Sequence, residues 1–70
     1  MRSSAWYRNK LYKYFTVYFG QYEDTAEFLP DPSDNQWVFD IPELDLRVKL
    51  TCYDNGKINE KRYVKSGGLV

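Results

Sequence analysis

The chain has no histidine, a single cysteine and only four glycines in 70 residues. Without histidine, the commonest general base and the usual zinc ligand sets are missing. With Cys52 alone, no disulfide can close within the chain, and the unpaired thiol predicts a cytoplasmic setting. No apolar run approaches the ~20 residues that cross a bilayer. The opening MRSSAWYRNK lacks the apolar stretch of a secretory signal. There is no glycine-rich phosphate loop, because Gly67 and Gly68 fall in the terminal KSGGLV. These absences predict a protein that is not an enzyme, holds no cofactor or metal, and does not enter a membrane. Asp40, Glu43 and Asp45 are close enough in sequence to suggest Mg²⁺ or Ca²⁺, but carboxylates flanking a bend are expected simply to be solvated.

What is abundant is aromatic. Seven tyrosines, four phenylalanines and two tryptophans make up 19% of the chain. A domain this small gains only about 3–5 kcal/mol from a single core, and large rings supply much of the buried area. One domain over residues 1–70 is expected, with 1–5 and 66–70 flexible. The size suits an accessory protein of a phage or mobile element.

Net charge is zero, but the charges are segregated. Arg2, Arg8, Lys10 and Lys13 stand without an acid in residues 1–22. Residues 23–46 carry eight acids and no base. Residues 47–70 carry six bases, beginning with Arg47, against Asp54 and Glu60. Mutual neutralisation between strands is the plain account; a dipolar surface that steers a charged partner is the functional one.

Side-chain alternation predicts an all-β fold: a small antiparallel sheet of four or five strands, or a small barrel, with at most one short helical turn. In LYKYFTVYF (residues 11–19), Leu11, Lys13, Phe15, Val17 and Phe19 alternate with Tyr12, Tyr14, Thr16 and Tyr18. Strand residues alternate between faces, and these types favour strands. A helix capped by Ser4 is the rival over residues 4–15, with Tyr7, Leu11 and Phe15 spaced four apart; the strand is preferred from Leu11 onward, and residues 4–10 fit either. QWVFDI and LDLRVKLTCY read as the next two strands. Their apolar parity flips across Pro42–Glu43, which predicts a bend or bulge, with a two-residue turn as the rival. The stretch after Gly20 offers one helical turn over 25–29 or a short edge strand AEFL. YDNGK marks a hairpin. A three-residue loop, Asp54 to Gly56, sets Cys52 against Ile58, Leu50 against Glu60 and Val48 against Arg62. The last strand is then poorly apolar, as expected of a sheet edge, with homo-oligomerisation as one outcome.

On a continuous strand, Trp6, Arg8, Lys10, Tyr12, Tyr14 and Tyr18 share one face. The plain account makes these rings the second side of a covered sheet. The functional expectation is a non-catalytic binding module engaging a protein partner through this aromatic sheet face, since Tyr, Trp and Arg dominate interface anchors. The alternative is single-stranded nucleic acid binding, with rings stacking on bases and Arg and Lys tracking phosphates.

Overall fold

The computed structural model describes residues 2–65. It contains one long helix and one four-stranded antiparallel sheet, so the all-β expectation is corrected to α+β. Helix α1 runs Ser4–Phe19, and a 3₁₀ turn, Gly20–Tyr22, continues it. The strands are β1 (Glu27–Phe28), β2 (Gln36–Ile41), β3 (Leu46–Cys52) and β4 (Ile58–Val64). They lie in chain order, β1-β2-β3-β4, as an open sheet with two edges rather than a barrel.

The predicted strand over residues 11–19 is therefore the second half of a helix. Ser3, not Ser4, caps it: the Ser3 hydroxyl accepts from the Trp6 N–H at 3.2 Å, which satisfies one of the free amides of the first turn. Tyr7, Leu11, Phe15 and Phe19 form the buried stripe, each one helical turn from the last. Lys13 and Val17 share their parity but fall on the opposite side, and Val17 is 72% exposed. The β-favouring residues are overridden by tertiary packing, which supplies most helix stability in a folded domain.

The stripe lies on one face of the sheet. Phe39, Ile41, Val48, Leu50 and Cys52 meet it with no exposed surface. Phe39 receives the edges of Phe15 and Phe19 at ring distances of 5.1 and 5.3 Å, a favoured aromatic geometry.

β2 and β3 are joined by residues 42–45, neither the bend nor the two-residue turn. Pro42–Leu44 make a 3₁₀ turn and Asp45 takes the left-handed conformation with φ 53°, which Asp tolerates better than most residues. Pro42 fits because its fixed φ suits the first central position of a type I turn. An even-numbered loop flips the parity, so Ile41 pairs with Leu46, Phe39 with Val48 and Trp37 with Leu50.

The last hairpin has the predicted register: Cys52 pairs with Ile58, Leu50 with Glu60, Val48 with Arg62. Gly56 sits at φ 88°, a backbone conformation that glycine adopts without steric cost. β1 takes the edge-strand alternative, not the helical turn, and β4 is the other edge. The expected looseness of 66–70 lies outside the described residues.

On the face turned away from α1, Asp40 is buried between two cations. Arg47 donates to it from Nε at 2.8 Å and from Nη2 at 3.2 Å, and Lys65 donates from Nζ at 2.9 Å. Asp40 is thus a structural anchor and no part of a carboxylate cluster. Among the described residues no group of His, Cys, Asp or Glu is arranged to hold a metal, and no helix is long and apolar enough to cross a membrane.

Candidate functional site: a groove between α1 and β1

Residues four apart on a helix stack on one side. The six aromatic and basic residues therefore occupy two stripes, one on each flank of the buried stripe, and not one sheet face. Trp6, Lys10, Tyr14 and Tyr18 form the first; Arg8 and Tyr12 belong to the second.

The first stripe is mostly engaged within the fold. Trp6 and Tyr14 pack against the core. The Arg2 guanidinium lies 4.6 Å and the Lys10 ammonium 5.4 Å from the centre of the Trp6 ring. Tyr14 donates to Glu60 on β4 at 2.6 Å, and the Tyr18 ring leans on Tyr14 at 4.5 Å. These rings seal the seam between α1 and the last hairpin, although Tyr18 keeps 62% of its surface exposed.

The second stripe borders an open groove of about 390 Å³ between α1 and β1. Arg8, Tyr12 and Phe15 line it from the helix, Phe28 and Trp37 from the sheet, Glu23 and Asp31 from the connections. Its floor is a chain of ring contacts. Phe28 lies 5.3 Å from Phe15, 5.1 Å from Phe39 and edge-on to Trp37 at 5.5 Å. The groove is thus the point where the core reaches the surface. Phe28 is 48% exposed and Tyr12 50%, so each ring leaves about half of its surface to solvent.

The groove exists because β1 is too short to be covered. α1 packs closest to β3 and β4, and the chain must return from the helix end to the sheet edge through EDTAEFLPDP. Pro30 and Pro32 cannot donate to a ladder, so strand pairing stops at Leu29, which donates to Val38 at 2.9 Å. In an antiparallel ladder, bonding alternates residue by residue. With Leu29 turned inward to β2, the N–H and C=O of Phe28 point to the outer edge.

The rim is acidic. Glu23 and Asp31 lie along it, and both are exposed. Arg8 is the one cation lining the groove among the described residues. The groove thus presents an apolar floor, a strand edge with outward-turned backbone groups, and carboxylates at the lip.

Sequence reading found Arg8 and Tyr12 but missed Phe28 and Trp37. The available signal was a phenylalanine in an otherwise acidic, proline-terminated edge segment, where an isolated large ring has no neighbours of its own to pack on. Comparison with known proteins returned no matching family model, no similar curated protein and no similar solved structure.

Proposed function

We propose that this protein is a non-catalytic binding module that captures a protein partner through the groove between α1 and β1. The supporting observation is Phe28: a half-exposed ring on a continuous aromatic floor, set in an edge strand with outward-turned backbone groups. An extended segment can add to such an edge through main-chain bonds while a side chain fills the adjacent pocket. The acidic rim selects a segment whose large apolar side chain is flanked by Lys or Arg. Buried aromatic anchors with a polar surround are the usual source of interface energy.

Selection of displayed random peptides on the immobilised protein tests this reading. Enriched peptides should combine a large apolar residue with neighbouring bases. Tyr12→Ala should weaken them tenfold or more, equivalent to about 1.4 kcal/mol, with an unchanged circular dichroism spectrum. Tyr18→Ala, on the other flank, should bind as the parent does. Enrichment that survives Tyr12→Ala undiminished places binding elsewhere and overturns the proposal.

A further inference from the structure

We infer that the face of the sheet turned away from α1 binds single-stranded nucleic acid, with Lys49, Lys61 and Arg47 on the phosphates and Tyr63 and Tyr53 stacking on bases.

The register sets this surface. β3 sends Arg47, Lys49, Thr51 and Tyr53 to the outer side, because Val48, Leu50 and Cys52 face the helix. β4 answers across the ladder. Arg47 pairs with Tyr63, Lys49 with Lys61 and Thr51 with Asn59, and the Tyr53 N–H donates to the Lys57 carbonyl at 2.8 Å.

Lys49 opposite Lys61 is a like-charge cross-strand pair, which destabilises a sheet. The next strand over puts Val38 beside Lys49, and Asp40, the diagonal neighbour, is engaged by Arg47 and Lys65. A bound polyanion would relieve the pair. One row further along, the cations are held in place. Buried Asp40 fixes the Arg47 guanidinium and the Lys65 ammonium beside Tyr63, and these three residues line a shallow depression of about 390 Å³. The side chains of Arg47 and Lys65 still keep 43% and 40% of their surface exposed. A guanidinium held next to an exposed ring is arranged for a phosphate and its base together.

Neutral net charge is no obstacle, because the fold separates the two signs. Glu23, Asp31 and Asp34 lie on the β1 side, and Asp34 accepts from Ser4 at 2.7 Å. Glu43 accepts from Thr25 at 2.6 Å. Glu60 faces α1. Glu27 and the engaged Asp40 are the acids that β1 and β2 send to the outer face.

The occupant is single-stranded for a geometric reason. Tyr53 and Tyr63 are 49% and 48% exposed and stand about 20 Å apart, six residues along the ladder at ~3.3 Å each. Stacking on them needs unpaired bases, whose faces a duplex hides. A lipid surface would require apolar insertion, and Val38 is the aliphatic side chain that β2, β3 and β4 place among these charges.

Fluorescence anisotropy with a labelled 12-nucleotide oligo(dT) and oligo(U) tests the inference. Three phosphate contacts imply that affinity falls about 20-fold between 50 and 200 mM salt, from a slope near −0.7 per contact for single strands. Lys61→Glu, which turns the like-charge pair into an opposite-charge one and so keeps the sheet stable, should weaken binding at least tenfold. Tyr63→Ala should weaken it at least fivefold. Tyr12→Ala should leave it unchanged, which separates this site from the groove. No binding at 50 mM salt, or Lys61→Glu binding as the parent does, overturns the inference. Equal affinity for a duplex, or co-sedimentation with phosphatidylserine vesicles in place of oligonucleotide binding, overturns it in favour of a general polyanion or lipid surface.

Discussion

The Tyr14 hydroxyl donates to Glu60 at 2.6 Å, joining the middle of α1 to the centre of β4. This bond explains a carboxylate on the helix-facing side of the sheet: Glu60 sits at the flank, where Tyr14 and Arg62 both reach it. Burial first, and the Glu60 bond second, push the Tyr14 hydroxyl up to about 12. The fold therefore favours the neutral phenol. Its contribution is complete below the unfolded tyrosine value, about 10, and is lost as pH rises through the folded value. Urea unfolding across this alkaline range should show stability falling in the parent. Tyr14→Phe should cost about 1 kcal/mol at neutral pH and remove that part of the alkaline loss. An unchanged alkaline slope would show that the bond does not form in solution.

Asp40 controls the acid side. The Arg47 hydrogen bonds lower its carboxyl to about 2, with Lys65 adding to the effect and burial opposing it. A depressed carboxylate stabilises the fold above its unfolded value, about 3.9. That contribution disappears as pH falls toward 2. Thermal unfolding between neutral pH and this range should show Tm falling in the parent. Asp40→Asn should lower Tm at neutral pH by at least about 4 °C and flatten the acid dependence. A parent Tm that holds steady through that range would remove Asp40 from its role as anchor.

Helix phase can be read by a pair of substitutions two residues apart. Phe15→Ala removes a ring that is 2% exposed and should cost about 3–5 kcal/mol. This equals the whole stability expected of a domain this size, so no cooperative urea transition should remain. Val17→Ala should change stability by no more than about 0.5 kcal/mol, because Val17 faces solvent. Comparable losses at both positions would favour a strand.

Cys52 is fully buried, and burial pushes its thiol pKa up. Only the thiolate reacts, so labelling must wait for the sheet to open. Native protein should react with a maleimide or disulfide reagent on the order of a hundredfold more slowly than unfolded protein. Equal rates would mean that β3 is out of register by one residue.

The sheet was legible in the sequence where two signals agreed. Leu46 to Cys52 alternate in apolarity, and Asp54-Asn55-Gly56 defines the loop, so the pairing of β3 with β4 followed residue by residue. The opposition of Arg47 and Tyr63 was readable too, although its charge pattern meant little until β2 put Asp40 beside it. The helix was legible as a rival over residues 4–15, but its spacing did not decide against a strand. Its buried stripe recurs every four residues, a multiple of the two-residue strand period, and no residue of Tyr7, Leu11, Phe15 and Phe19 breaks strand parity. Asn9, Lys13 and Val17 fill the intervening odd positions; within residues 11–19 Lys13 reads as a tolerated charge and Val17 as core. The groove was half legible for a different reason. Arg8 and Tyr12 are local to one segment, whereas Phe28 and Trp37 join them only through tertiary contact.

The same commensurate spacing makes α1 a conditional helix. The stretch YFTVYF, residues 14–19, has no charge, proline or glycine, and its residue types favour cross-β stacking. Docking against the sheet withholds it from that alternative. A chain released from the ribosome or from denaturant therefore passes through a window in which this segment is an adhesive surface, and the sheet must form quickly enough to shield it. Refolding yield should fall with protein concentration, and Thr16→Lys, at an exposed helical position, should restore it by placing a charge in the segment without touching the core.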